Sequence, residues 1–164
     1  MKKVLLAGGC FWGVEAYFKQ LDGVQDSSVG YADGPFPTPS YEQVCHSSGH
    51  VEAVELTYDD TKVSFEDILE HYFNIVDPTA VNRQGPDVGR QYRSGFYNLS
   101  DDEQMRLQTF IKSKQPRYKK PIVIEVKQGV RYDLAEAYHQ DYLDKNPNGY
   151  CHVNLSSVTN VTKR

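Results

Sequence analysis

The chain has 164 residues, enough for one domain of ordinary size, and an apolar core at that length holds without disulfide staples. Lys and Arg number 18 against 22 Asp and Glu, and a formal charge of −4 argues against a nucleic-acid footprint or a polybasic membrane face. Every apolar run is far shorter than the ~18 residues of a membrane span, and the one after Met1-Lys2-Lys3 ends at Ala7, too short for a signal-peptide core, so the cytosol is the expected compartment.

Val4 to Ala7 reads as a short buried strand stopped by Gly8-Gly9. Phe11, Val14, Tyr17 or Phe18, and Leu21 recur at helical spacing, so a helix runs from Phe11 until Asp22-Gly23 ends it. Val24 to Val29 is a weaker strand. Tyr31 to Gly49, rich in Pro, Gly and Ser, is expected to be a long loop, and such loops in compact domains are functional or disordered. Val51 to Tyr58 alternates as a strand, and Ser64-Phe65-Glu66-Asp67 opens a helix over Phe65 to Ile75. Val76 to Arg93 is a second long loop and Gly95 to Leu99 a short strand. Ser100 with Glu103 opens a helix running to the region of Gln115. Pro121 to Val126 reads as a strand and Leu134 to Leu143 as a helix, before Asn146-Pro147-Asn148-Gly149 breaks into an irregular tail. The order βαββαβαβα predicts an α/β or α+β fold, a mixed sheet with helices packed on it.

Three cysteines, Cys10, Cys45 and Cys151, make an odd and widely spaced set, which suits catalytic, metal or inert roles better than a secreted framework. Cys10 follows two glycines at the start of a helix, where unpaired N–H groups and the helix dipole favour thiolate; the alternative is a buried cysteine at a helix start. Phe11 is in register with the apolar stripe. Trp12 lies one residue off it and suits an apolar wall beside a thiol. On the strand, Glu52 shares a face with Val54, Leu56 and Tyr58, whereas Val51, Ala53, Glu55 and Thr57 form a face expected to be solvated. A carboxyl on the apolar face is desolvated and stays protonated near neutral pH, unless it frays into solvent at the strand edge; both readings are open.

The long loops add Tyr31, Tyr41, Asp87 and Tyr92. Cys45-His46 and His50, with Cys151-His152, invite a zinc reading, but their spacing matches no usual structural motif. Cys10 paired with His50, His71 or His139 would suit a protease or transferase, with nothing local to choose among them. There is no GxGxxG and no Walker loop to bind a nucleotide.

Gly8-Gly9-Cys10-Phe11-Trp12-Gly13-Val14-Glu15 resembles the signature of the class A peptide methionine sulfoxide reductases, which reduce the S epimer. The likeness continues in Gly30-Tyr31-Ala32, Pro39 to Cys45, Gly49 to Val54, Asp77-Pro78, Arg83 to Ser94, His139 to Leu143 and Asn146 to Cys151, in order along nearly the whole chain. The resemblance implies a two-layer α/β sandwich related to the split βαβ arrangement. It implies that Cys10 is the nucleophile that attacks sulfoxide sulfur, that Glu52 is the acid that protonates its oxygen, and that Tyr41 and Tyr92 donate hydrogen bonds to it. Phe11 and Trp12 would form the methyl pocket, with Asp87 a supporting carboxylate and Cys151 the resolving thiol.

Other members carry a further cysteine beyond the equivalent of Cys151. Here His152-Val153-Asn154-Leu155-Ser156-Ser157 has none, which implies a single disulfide between Cys10 and Cys151. Asp33 stands where glycine is usual and Pro86 where asparagine is common; Cys45 is expected to be inert. Thioredoxin or a similar dithiol is the implied partner and recycles the enzyme. Oxidised proteins and free methionine sulfoxide are the substrates, with no cofactor, metal, nucleic acid or membrane. A monomer is the simplest assembly, and residues 1–164 form one catalytic domain whose irregular tail, 146–164, carries the resolving cysteine. The rival readings are a thiol peroxidase, which has no use for a protonated Glu52, and a zinc-binding interaction module.

Overall fold

In the computed structural model, which describes residues 1–161, two apolar strands lie at the heart of a mixed sheet. They are β1 (Lys2–Ala7) and β3 (Val51–Tyr58), paired antiparallel with Leu6 opposite Val54. Beyond β3 come β2 (Val24–Ala32) and β8 (Tyr132–Leu134); beyond β1 come β6 (Gly95–Tyr97) and β7 (Glu125–Lys127). All neighbours are antiparallel except β6 and β7. The helices are α1 (Phe11–Phe18), α2 (Tyr41–Cys45), α3 (Phe65–Ile75), α4 (Asp101–Lys114) and α5 (Tyr142–Lys145); β4 (Arg83–Gln84) and β5 (Asp87–Val88) form a small separate ribbon. Among the described residues no helix is long and apolar enough to cross a membrane.

The strand period divides the apolar residues between the two faces of the sheet. Val4, Leu6, Val54, Leu56 and Tyr58 meet Phe11, Val14, Tyr17 and Phe18 of α1, Ile68, Leu69 and Tyr72 of α3, and Leu107 and Phe110 of α4. Complete burial of such a side chain contributes about 1.5–3 kcal/mol before entropy is counted. The opposite face departs from the solvated one expected: Leu5, Ala7, Ala32, Val51 and Ala53 are buried beneath Tyr97, Val130 and Tyr132, while Glu55 and Thr57 stay half-exposed.

Helices α3 and α4 open as the sequence predicts. Ser64 and Ser100 accept the N–H of Asp67 and Glu103, whose carboxylates reach back to the cap N–H. The same box at Ser40 and Gln43 starts α2 inside what reads as a loop. Strand β2 runs on through Tyr31 and Ala32, which places Tyr31 opposite Glu52.

The helix expected over Leu134 to Leu143 is absent. Leu134 ends β8, Ala137–His139 is a 3-10 turn, and Asp141 is left-handed at φ 55°. Tertiary partners take the groups a helix would use: the Gln140 amide bonds both N and O of Val29, and the Asp141 N–H donates to Glu15 Oε1 at 2.9 Å. The strand expected at Pro121 to Val126 pairs only at Glu125–Lys127, because the preceding residues turn away and the Val123 N–H bonds the Pro78 carbonyl. The tail is less irregular than expected: Leu155–Asn160 is a 3-10 turn, and Leu155 and Val158 pack against the core. Its last positions, 162–164, lie outside the described residues.

Candidate active site

From β1 the chain turns through Gly8 and Gly9 to Cys10, the N-cap of α1. Gly9 has φ +93°, and a Cβ there would lie 2.7 Å from Nε2 of His152 and 2.8 Å from Cβ of Gln84. Both the turn and the close approach of the tail require glycine. The Cys10 thiol is 6% exposed. Burial and the charge of Glu52 push its pKa well above the ordinary value, although the N–H groups of Trp12 and Gly13 favour the thiolate. The thiolate expected from the helix end is thus not the resting state, because desolvation outweighs the dipole.

Glu52 is 1% exposed on β3, so it does not fray into solvent. Its Oε1 accepts the backbone N–H of Phe11 at 3.1 Å, while Oε2 is buried without a partner. Burial raises its pKa to about 8, the Asp87 charge adds to that, and the Phe11 N–H opposes it. Protonation of Glu52 removes the charge that disfavours the Cys10 thiolate, so the two groups titrate as a coupled pair.

Around them stands an aromatic wall. The Phe11 ring packs 5.7 Å from Tyr31 and 5.2 Å from His139. Trp12 is half-buried, stacked on Tyr142 with centroids 3.9 Å apart, and its Nε1 donates to Nδ1 of His139 at 2.9 Å. Burial lowers the pKa of His139 and keeps it neutral, able to accept that bond. Glu136 joins the wall to the sheet: Oε1 accepts the Tyr31 hydroxyl at 2.8 Å and Oε2 the Tyr41 N–H at 2.9 Å. Burial opposes the Glu136 charge, but these hydrogen bonds hold its pKa below the ordinary carboxylate value. The roles of Glu136, His139 and Tyr142 were hidden by the helical reading of that segment, although His139 was in view as a possible partner of Cys10.

Tyr41 and Tyr92 are half-buried, and burial together with the charge of Glu52 raises both phenols, so both rings lie in the field of that carboxylate. Asp87, on β5, accepts the Tyr150 hydroxyl at 2.9 Å and directs its charge toward Cys10 and Glu52.

Cys151 is half-buried against α1, its Sγ 3.1 Å from the point a Gly13 Cβ would occupy. Gly13 follows Cys10 by three residues, and side chains at that separation share a helix face, about 5–6 Å apart. A disulfide requires Cα atoms within roughly 7 Å, so the tail holds Cys151 beside the turn that carries Cys10. All three cysteines are free thiols, and Cys45 is exposed on α2. Two other histidines serve elsewhere: His50 bonds Ser48 and the Phe36 carbonyl, and His71 bonds the Tyr17 hydroxyl at 2.7 Å. Among the described residues no group of three His, Cys, Asp or Glu side chains is placed to hold a metal ion.

Comparison with known proteins places this geometry. The sequence profile of the family described as peptide methionine sulfoxide reductase matches residues 2–164. The peptide methionine sulfoxide reductase MsrA of Ureaplasma urealyticum serovar 10 is 49% identical over 157 residues, covering 95% of this chain and 95% of that one. The reduced form of Mxr1 from Saccharomyces cerevisiae superposes with a TM-score of 0.84 at 38% identity, over 92% of this chain and 88% of its own. The same yeast protein in complex with Trx2 superposes with a TM-score of 0.59 at 26% identity, over 86% of this chain and 84% of that one.

Proposed function

We propose that this chain, which belongs to the peptide methionine sulfoxide reductase family and reduces methionine sulfoxide, does so with Cys10 as nucleophile, Glu52 as acid and Cys151 as resolving thiol. The observation that carries the assignment is the buried Glu52 carboxyl, fastened to the N–H of the residue that follows Cys10, with its second oxygen unpartnered. It is an oxidoreductase that needs only thiols and a proton donor.

The anionic Cys10 sulfur attacks the sulfoxide sulfur while the Glu52 proton passes to the sulfoxide oxygen. That oxygen ends on Cys10 as a sulfenic acid, the methionine sulfur gains two electrons, and Glu52 is left ionised. Sulfoxide oxygen leaves poorly without a proton, and general acid catalysis is worth about 10²–10⁴-fold. Tyr41 and Tyr92 donate hydrogen bonds to the same oxygen. Phe11 and Trp12 receive the methyl group, which sets selection for the S epimer, and Asp87 supports the pair from β5. Cys151 then condenses with the sulfenic acid, releasing water and closing the Cys10–Cys151 disulfide. A thioredoxin-type dithiol reopens it by exchange; the yeast relative solved with Trx2 supports that partner. The odd, widely spaced set of three cysteines fits a cytosolic setting, and the whole chain acts as one catalytic unit.

The test is single turnover without external reductant. Reduced protein mixed with a methionine-sulfoxide peptide of each epimer releases methionine from the S epimer and loses two thiols per chain. Cys10→Ser releases none, and Cys151→Ser completes one turnover and stalls with thioredoxin. Methionine from Cys10→Ser, or undiminished steady-state turnover by Cys151→Ser, overturns the assignment.

A further inference from the structure

Next to the thiol assigned to resolution lies a buried base that the scheme above leaves unused. The His152 side chain is 4% exposed, and neither of its ring nitrogens has a hydrogen-bond partner. Leaving such a group unpaired costs about 1–3 kcal/mol. The ring is fixed by two glycines of the nucleophile turn: Nε2 lies 2.7 Å from the point a Gly9 Cβ would occupy, and Nδ1 lies 3.4 Å from the corresponding point of Gly13. Cys151 Sγ is 3.1 Å from that same Gly13 point, so thiol and imidazole both border the first turn of α1, where the resting thiol donates to the Val153 carbonyl at 3.1 Å. On the far side Asp87 Oδ2 is 4.0 Å from Nδ1, held in place by the Tyr150 hydroxyl at 2.9 Å.

We propose that His152 accepts the proton of Cys151 as its sulfur attacks the Cys10 sulfenic acid, and passes that proton to the departing hydroxide. The step balances: an S–S bond forms and the S–O bond of the sulfenic acid breaks. The Cys151 proton leaves with the hydroxide as water, and His152 is neutral again at the end. Asp87 Oδ2, at 4.0 Å, and the Gly8 backbone beside the ring both favour its transient protonated form. Burial lowers the pKa of His152, which keeps it in the neutral, accepting state, and raises that of the Cys151 thiol, which therefore needs a base. The charged group that acts on the ring is Asp87 on β5, itself bonded by Tyr150, and the titratable neighbour in the chain is Cys151.

This inference rests on Cys151 being the resolving thiol, and the experiment separates the two. In rapid-mixing single turnover with a methionine-sulfoxide peptide, methionine release and the disappearance of the second thiol are followed together, for wild type, His152→Gln, His152→Asn and Cys151→Ser. Methionine release also reports that each variant is folded. The expected result is a ratio of disulfide formation to methionine release at least tenfold lower in both His152 variants. The pH profile changes as well. Wild-type resolution levels off once His152 is neutral, below its ordinary value of 6.5. Resolution in the His152 variants keeps rising about tenfold per pH unit through neutrality, following the raised thiol of Cys151 alone. A wild-type ratio and profile in a variant that releases methionine normally overturns the role of His152. Second-thiol loss that persists in Cys151→Ser overturns the resolving assignment instead.

Discussion

Glu52 Oε1 accepts the backbone N–H of Phe11 at 3.1 Å, so the proposed proton donor is tied to the residue that follows the proposed nucleophile. The bond crosses from β3 to the first turn of α1 and sets the distance between acid and sulfur by backbone geometry. It also leaves Oε2 buried without a protein partner, where a proton on it can be donated to a ligand oxygen.

That arrangement fixes two pH dependences of opposite sign. The reactive pair carries one proton, on Glu52, with sulfur anionic; it is a proton isomer of the neutral thiol beside an ionised Glu52. The kcat/KM for sulfoxide reduction therefore rises with pH until the pair has lost its first proton, near the Glu52 value of about 8, and levels there. Stability runs the other way. Glu52 holds a proton in the folded protein up to about 8, whereas the unfolded chain releases it near the ordinary 4.5. The native state thus binds more protons across that window, and stability falls as pH rises through it. Glu52→Gln is expected to lose at least roughly tenfold in the reductive step. It should match wild type in denaturant unfolding at pH 4.5 and exceed it at pH 9. Equal stabilities at both pH values remove the desolvated carboxyl from this account.

Glu125 gives the reverse case away from the chemistry. Its carboxylate meets Arg93 Nε at 2.8 Å, the Tyr97 hydroxyl at 2.9 Å and Lys127 Nζ at 2.7 Å. Arg93 in turn bonds the carbonyls of Gly49 and Arg90 and the carboxylate of Asp33. Burial opposes the Glu125 charge, yet these partners hold its pKa down to about 2. The stabilisation is complete above the ordinary 4.5 and is lost as pH falls toward 2. Glu125→Gln should therefore lower stability by about 1–2 kcal/mol at pH 7, a value discounted for its partial exposure, with the deficit shrinking below pH 4. A deficit that stays constant down to pH 2 assigns the loss to packing.

At Gly13 two effects compete. Alanine in place of glycine favours the helix by about 1 kcal/mol, but the added Cβ would sit 3.1 Å from Cys151 Sγ and 3.2 Å from Val153 Cγ2, and the tail must give way. Gly13→Ala is expected to form the Cys10–Cys151 disulfide at least threefold more slowly while methionine release changes less. Thiol counting during a single turnover measures both. Unaltered disulfide formation means the tail does not resolve from its docked position.

The nucleophile turn, the face of Glu52 and the two capped helices were legible because each is a local pattern: two glycines before a helix, a carboxyl in an apolar alternation, Ser with an acid three residues on. The Ser40 box was equally local but lay within a stretch whose prolines made it read as loop. Glu136 and His139 were not legible in their roles. Their segment has helical spacing, and only the pairing of β8 with β2 and the hold of Gln140 on Val29 convert it to a strand and turn. Those partners stand more than 100 residues away. The choice between a thiolate and a buried thiol at Cys10 was not legible for a related reason. A helix end is visible in sequence, but the depth at which it is buried is not. Asp33, which departs from the family's usual glycine, adopts φ +53°, a left-handed conformation that Asp tolerates better than most residues.

The Trp12 indole is aimed by a single polar bond, and that makes its contribution separable from its bulk. His139 Nδ1 accepts from Trp12 Nε1 at 2.9 Å, the His139 ring is fully buried, and Tyr142 stacks on the indole. His139→Phe keeps an aromatic ring in the wall but leaves the indole N–H without its acceptor. A neutral hydrogen bond is worth about 1 kcal/mol, so the indole should lose its fixed orientation at a cost of roughly fivefold in substrate binding. Because the proposed methyl pocket would be used in ground state and transition state alike, that loss should appear as a raised KM with kcat changed much less. His139→Gln, which retains an acceptor, should recover most of the affinity. Steady-state kinetics on one methionine-sulfoxide peptide decides it: a fall in kcat at constant KM places His139 in proton transfer and not in the aiming of Trp12.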